Sequence, residues 1–370
     1  SFSSISKDPL GRSPFGSRPT DESNTETRTD VGRLESRRPT SSNTTPTGDK
    51  KRSTKSSTYQ YRKKQFGPAR KSVPFNSKSQ SNANGKIPPI ESGVVRVIPL
   101  GGVEEVGKNM TAIEIGDDII VIDAGMHFST EATPGLDYVI PNTTYLEERK
   151  EKIRALIITH GHLDHIGGVP LVLSRIGNPP VYSRKLSVLM MRKRQAEFPH
   201  LPRVEENIVE KDETITCGKI KIRFFGVTHT IPDSMGIIIE TENGWIVTPG
   251  DYKLDQMDGI VSKEEEKEYS IFDKAKVLLL LTDSTNIENE GFSLPEEKVH
   301  RGLENLIRKV NGRMIIAAFA SHITRLAHVV KFAESLGKKI VLDGRSMKTN
   351  IEVAIEAGLF TPKKGTIIPM

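Results

Sequence analysis

Ile157-Ile158-Thr159-His160-Gly161-His162-Leu163-Asp164-His165-Ile166-Gly167-Gly168 is the stretch whose reading decides the fold. Three histidines and an aspartate fall within six residues, directly after the apolar run Ala155-Leu156-Ile157-Ile158. That run reads as a buried strand, and the glycines that follow read as a turn into a helix. Imidazole and carboxylate are ligands of zinc and similar divalent ions. H-x-H-x-D-H spacing can divide them, with His160 and His162 on one ion and Asp164 and His165 on a second. The strand end would hold the backbone while the loop turns these side chains toward one point. A lone histidine implies nothing of the kind; four ligand types at this spacing after a strand do.

Outward from this stretch, other strand ends present the same chemistry. Residues 219–225 alternate as a strand and deliver His229 within Val227-Thr228-His229-Thr230-Ile231-Pro232-Asp233-Ser234. Residues 236–240 and 245–248 flank Asn243-Gly244, a strong hairpin turn, and the second arm ends at Pro249-Gly250-Asp251. Upstream, 111–115 and 119–122 flank Gly116-Asp117-Asp118 as a second hairpin, which ends at Asp123-Ala124-Gly125. Asp123 is either a turn residue or an acceptor that orients a metal-binding histidine. Ligand types at several strand ends are what a site on one edge of a β-sandwich requires. Residues 169–176 and 186–195 read as helices. Gly102 to Lys108 fits G-x-x-x-x-G-K, but Asn109 replaces the magnesium-holding Ser or Thr. Glu104 and Glu105 would repel phosphate, and a strand follows where a nucleotide loop must open a helix.

Further on, 277–281 reads as a buried strand ending in Thr282-Asp283-Ser284-Thr285. Ser293-Leu294-Pro295-Glu296 fits a helix start with a capping box and an early proline. Strands are expected at 313–319, 339–342 and 366–368, alternating with amphipathic helices up to 336 and over 349–357. That alternation implies a parallel α/β unit, distinct from the hairpin-rich part before it. The chain stops at Met370 just after a strand begins, so it reads as cut short at its C-terminus.

Composition narrows the classes. One cysteine, Cys217, excludes an internal disulfide framework and fits a reducing, cytoplasmic setting. No apolar run approaches the ~20 residues needed to span a membrane. The net charge of +6 hides an asymmetry: residues 1–90 carry 18 Lys+Arg against 7 Asp+Glu, and the remainder 35 against 40. The 1–90 segment is rich in Ser, Thr, Pro and Arg and reads as a disordered basic tail. Tyr59, Tyr61, Phe66 and Phe75 lie among its cations, which suits loose RNA binding. A solubilising linker or an anchor for a protein partner fits that tail equally well.

His160-x-His162-x-Asp164-His165, with Asp123, His229 and Asp251 in that order, resembles the metallo-β-lactamase fold. Gly101-Gly102…Glu105-Val106-Gly107-Lys108-Asn109-Met110, Thr230-Ile231-Pro232-Asp233-Ser234, Thr282-Asp283-Ser284-Thr285 and Phe319-Ala320-Ser321-His322-Ile323-Thr324-Arg325 narrow the resemblance to the ribonuclease J group of β-CASP nucleases. The resemblance implies an α/β architecture. An αββα metallo-β-lactamase domain (91–292) would be followed by the start of a parallel α/β β-CASP insertion (293–370). It implies two-metal hydrolysis of RNA phosphodiester bonds, 5′ to 3′ from a monophosphorylated end and also internally, in mRNA decay and rRNA maturation. His160, His162 and His229 would hold one zinc, Asp164 and His165 the second, and Asp251 would bridge them; manganese or magnesium are alternatives. Asp164, Asp283 and His322 would serve catalysis, and Ser321, His322 and Arg325 would contact substrate. A homodimer or homotetramer is expected. Thr324 stands where many members have a second histidine, and the last β-CASP motif and last zinc-ligand histidine would lie beyond Met370. Two rivals compete with this reading. A thioester or lactone hydrolase on the same metal fold would need no α/β insertion, and a non-catalytic RNA-binding protein would lack metal ligands.

Overall fold

The computed structural model describes residues 87–128, 134–257 and 259–369. The expected basic tail lies almost wholly outside the described residues. In chain order the strands begin with β1 (Val95–Gly101), β2 (Met110–Ile115), β3 (Asp118–Ile122), β4 (His127–Phe128), β5 (Tyr138–Val139) and β6 (Ile153–Ile157). They continue with β7 (Val181–Ser183), β8 (Glu206–Ile208), β9 (Thr214–Cys217), β10 (Ile220–Gly226), β11 (Met235–Thr241) and β12 (Gly244–Thr248). The last are β13 (Gln256–Met257), β14 (Ile260–Val261) and β15 (Val277–Leu280). The helices are α1 (Thr144–Glu147), α2 (Leu163–Ile166), α3 (Val169–Ile176), α4 (Lys185–Gln195), α5 (Lys263–Tyr269), α6 (Glu296–Lys309), α7 (Ile323–Ser335) and α8 (Arg345–Glu356).

One sheet runs β1-β2-β3-β6-β7-β8 and the other β15-β12-β11-β10-β9. Their layering follows from side-chain alternation with period two. On β3, Ile120 and Ile122 face the second sheet and join Ile157, Ile222, Phe224, Ile237 and Ile246 in an inter-sheet core. Ile119 and Val121 face the other way, onto Val169, Val172, Leu173 and Ile176 of α3. On the far side of the second sheet, Phe225, Ile238 and Val247 pack against Tyr269 and Phe272. The layers are therefore helix, sheet, sheet, helix. Helix α4 has two working faces: Val188 and Met191 serve the first core, while Leu186 and Leu189 join Ile323, Leu326, Val330 and Ile351 of the C-terminal part.

Topology gathers the strand ends. β3 and β6 pair in parallel, so Asp123 and Thr159 emerge side by side. β10 and β12 both run antiparallel to β11, which brings the segments carrying His229 and Asp251 out at a common edge.

Three expected strands do not form ladders. Among 313–319, 339–342 and 366–368 the structure holds only a parallel bridge, Ile340 to Ile367. The apolar pattern is present but lacks neighbours to pair with: Ile315 is 91% exposed and Phe319 81%. Strand β15, expected to be buried, does form on the edge of its sheet beside β12, but Val277 to Leu280 are all exposed there. The capping box is also absent. Pro295 is the N-cap of α6, with no side-chain cap hydrogen bond. The Ser293 carbonyl instead accepts from Gln256 Nε2 at 2.9 Å, and the Glu296 side chain is turned to other partners.

Candidate metal centre

Strand β6 ends at Ile157, and the chain then places Thr159 and His160 fully inside the protein before turning into α2. The four-residue α2 carries Asp164 and His165 on one helical turn, so they sit on a short helix and not on the loop the spacing suggests. Close approach is built in: a Cβ on Gly125 would lie 1.6 Å from the Asp164 carbonyl oxygen, so only glycine lets the two segments meet.

Two donor groups result. Ligand atoms of His160, His162, His229 and Asp251 lie within 4.8 Å of one another, as do those of Asp164, His165 and Asp251. His162 Nδ1 stands 3.0 Å from His160 Nε2 and 3.2 Å from His229 Nε2. Asp251 Oδ2 lies 3.9 Å from His160 Nε2 and 3.8 Å from His229 Nε2. Its other oxygen, Oδ1, is 3.3 Å from His165 Nε2, which is 3.5 Å from Asp164 Oδ2. Tetrahedral zinc with ligands near 2.0–2.1 Å requires ligand atoms about 3.3 Å apart. The spacings among the imidazoles and around His165 match, and those from Asp251 to His160 and His229 are about half an ångström longer. The residues fit a two-ion centre with Asp251 common to both sets.

Behind the ligands, Asp123 acts as an anchor. Its Oδ2 is 2.8 Å from His165 Nδ1, and its Oδ1 accepts from the Thr159 amide at 2.8 Å. The Thr159 hydroxyl donates to the same carboxylate and sits 3.1 Å from His160 Nδ1. This is the hydrogen-bonded support that fixes the tautomer and ring orientation of a ligating histidine. Asn109 adds a contact that the sequence did not suggest: its Nδ2 is 3.0 Å from His165 Nε2 and donates to the Asp164 carbonyl at 3.2 Å. Its sequence signals were its place in a glycine-rich loop and in the motif that carries the family resemblance, neither of which assigns it a contact.

Titration behaviour follows burial and charge. Burial, then the neighbouring imidazoles, hold His160 well below the ordinary histidine range. His229 falls to about 4 through burial and the charge of His162. Burial opposes charge on His165 too, but Asp123, Asp164 and Asp251 raise it well above the ordinary range. Burial would raise the Asp164 carboxyl, yet its hydrogen bond to His165 and the charges of His165 and His162 hold it at about 2.

The other expected site residues are placed unevenly. The backbone of Ser321 is near enough to the His162 imidazole to favour its charged form, and His162 Nε2 is buried without a hydrogen-bond partner. His322 is the N-cap residue of α7 and is buried. Arg325 Nη2 donates to Glu296 at 2.8 Å. Asp283 is not drawn into either donor group; its Oδ1 accepts from the Thr285 amide at 2.8 Å and hydroxyl at 2.6 Å, a turn cap. Asp233, in the segment after His229, accepts from the Leu186 amide at the start of α4 at 3.2 Å.

Two family models match the sequence. One describes the metallo-beta-lactamase superfamily, over residues 103–279; the other describes the ribonuclease J beta-CASP domain, over 311–370. The chain belongs to the ribonuclease J group of the metallo-β-lactamase superfamily. Its curated relatives include ribonuclease J of Thermus thermophilus, 38% identical over 279 residues, which are 73% of this chain and 48% of the relative. Ribonuclease J of Mycoplasma genitalium is 36% identical over 74% of this chain and 48% of its own, and ribonuclease J 2 of Staphylococcus aureus 34% over 75% and 49%. The chain thus spans about half the length of these ribonuclease J relatives. A crystal structure of an Enterococcus faecalis protein of unknown function shares the fold, with a TM-score of 0.53 at 17% identity over 74% of this chain and 73% of that one. No helix among the described residues is long and apolar enough to cross a membrane.

Proposed function

We propose that this chain carries the metal centre of an RNA phosphodiesterase that works 5′ to 3′ from a monophosphorylated end and also internally. The observation that carries the reading is the pair of donor groups sharing Asp251, one oxygen toward each set. Two zinc ions, or manganese, would be held by His160, His162, His229 and Asp251 on one side and Asp164, His165 and Asp251 on the other. When bound they would supply Lewis-acid activation of water and charge neutralisation at phosphate.

The chain's own groups account for the rest. Asp164, held at about 2, is an anion at neutral pH and can orient a water or take its proton. His322 and Arg325 stand at the N-terminal end of α7, where backbone amides favour phosphate. Both keep a buried polar atom without a partner, Nδ1 and Nε respectively, and these can meet a phosphate oxygen. Asp283, capping its own turn, has a structural role in this reading.

The test is digestion of 5′-monophosphate, 5′-triphosphate and circular RNAs with zinc or manganese, beside an Asp164→Ala, His165→Ala variant. Degradation favouring the monophosphate end and lost in the variant is expected; cleavage of the circle reports the internal mode. A folded, metal-loaded protein that cleaves none of them refutes the nuclease reading and favours a small-ester hydrolase.

A further inference from the structure

Glu296 has surroundings that its place at a helix start does not require. It opens α6, and an acidic residue there is ordinarily explained by the helix dipole. That explanation needs no partners, yet this carboxylate has cationic or protonatable ones from three segments. Its Oε1 accepts from Arg325 Nη2 at 2.8 Å and from Lys253 Nζ at 3.1 Å, and lies 3.5 Å from His322 Nε2. Its Oε2 is 3.6 Å from His300 Nε2, one turn along α6. Its side chain is 20% exposed, so water screens these contacts only in part.

The partners reach the metal ligands by short routes. Lys253 is two residues past Asp251, and its amide donates to the Thr228 carbonyl, next to His229, at 2.8 Å. His322 follows Ser321, whose backbone is near enough to His162 to favour its charged form. Burial would raise the Glu296 carboxyl, but Arg325 and Lys253 hold it below its usual range, so it stays charged beside them. Glu296 also engages only one end of each partner: His322 Nδ1 and Arg325 Nε remain buried and unpartnered.

We infer that Glu296 is a positioning residue of the hydrolytic site: it gathers Lys253, His322 and Arg325 onto one carboxylate and so sets where the imidazole and guanidinium stand relative to the metal ligands. This inference rests on the nuclease reading above. Without the carboxylate, two permanent cations and an imidazole would crowd one pocket and separate, since like charges at this range repel. Small displacements of positioning groups are costly in rate. The freed cations would still attract RNA.

The test compares the parent protein with Glu296→Gln and Glu296→Asp, each loaded with metal, measuring metal content, RNA affinity, kcat and KM. The expected result for Glu296→Gln is full metal content, RNA bound at least as tightly as by the parent, and kcat lower by roughly ten- to a hundred-fold. Glu296→Asp keeps the charge on a shorter arm and is expected to recover part of kcat. A merely structural glutamate would instead lose metal, affinity and kcat together with the thermal midpoint. An unchanged kcat in folded Glu296→Gln overturns the inference, as does a proportional loss of RNA affinity. If Glu296→Gln does not fold, Glu296→Asp decides alone: a folded Asp variant with parental kcat and KM overturns it, and a kcat loss at unchanged affinity supports it. Parental inactivity on every RNA refutes the nuclease reading itself and this inference with it.

Discussion

Replacing Asp123 by Asn tests whether the second donor group is held from behind. The wild-type carboxylate makes three short contacts: His165 Nδ1 at 2.8 Å, the Thr159 amide at 2.8 Å and the Thr159 hydroxyl at 2.9 Å. Asn keeps the size and one carbonyl oxygen, so the Thr159 amide retains its acceptor. It also tolerates the backbone, since Asp123 has φ 60° and Asn is one of the few residues at ease there. What is lost is the anion beside His165 and, with it, the control of which ring nitrogen faces the ligand set. Loss of such a support costs about 10–100-fold in metal affinity, roughly 1.4–2.7 kcal/mol. The loss should be uneven. The equivalent bound by Asp164, His165 and Asp251 weakens by that factor, while the one bound by His160, His162 and His229 moves much less. Competition against a chromophoric zinc chelator, resolving two equivalents, reads both constants. Two unchanged affinities in a folded variant would refute the reasoning, and equal losses at both would show that Asp123 supports the loop as a whole.

Other expectations are simpler. Phe224 is fully buried between the sheets, so Phe224→Ala should destabilise by about 3–5 kcal/mol in chemical denaturation. Gly125→Ala should cost metal binding and stability together, because its Cβ would collide with the Asp164 carbonyl; metal content at the parental level would contradict this. Chelation should lower the thermal midpoint, since metal at a thousand times its Kd adds about 4 kcal/mol to the folded state; an identical midpoint with and without chelator would count against a resident ion. Asp118 takes a 2.5 Å hydrogen bond from Arg154 Nε and a 2.6 Å one from the Lys219 amide. Burial pushes its carboxyl up, but these partners win and hold it below its ordinary value. The stability they contribute is therefore full above the unfolded carboxyl value of about 3.9 and is lost as pH falls through the lower folded value. Asp118→Asn should lower stability at neutral pH by about 1.5–3 kcal/mol and flatten the acid side of the stability profile.

The site was legible in the sequence where local pattern and chemistry coincide. Residues 155–158 declare a strand as an apolar run, 219–225 by alternation and 245–248 as the arm of a hairpin, and His160, His229 and Asp251 come shortly after them. Asp123 was legible as a choice between turn and acceptor, and contact distances resolve it. Asn109 was read as a misfit in a nucleotide loop and as part of the motif that carries the family resemblance, but without a role, because nothing local says that this loop will fold over α2, 55 residues on. Glu296 was taken for a capping residue, since S-x-x-E is a local rule, and its real partners lie 29 and 43 residues away. The strands expected at 313–319 and 339–342 fail for a related reason. Alternation states that a segment suits a sheet, but a ladder needs a second edge, which the pattern cannot supply.

Charge ties the two donor groups together. Asp123, Asp164 and Asp251 bring three carboxyl groups to one pit, yet burial and the neighbouring imidazoles still hold His160 and His229 below the ordinary histidine range. The one imidazole that the surroundings favour as a cation is His165, pressed between all three carboxyl groups. A proton there answers part of the negative charge and leaves the rest on half-buried Asp164 and Asp251, where uncompensated charge is costly. Divalent cations, when bound, would supply that compensation in place of the proton, with Asp251 available to both donor groups. Metal uptake should therefore release protons and strengthen as pH rises, which is the linkage expected when ligands must first give up their hydrogens. Histidines alone would have made a site for one ion. In the proposed reading the carboxylates, and Asp251 above all, would make room for a second.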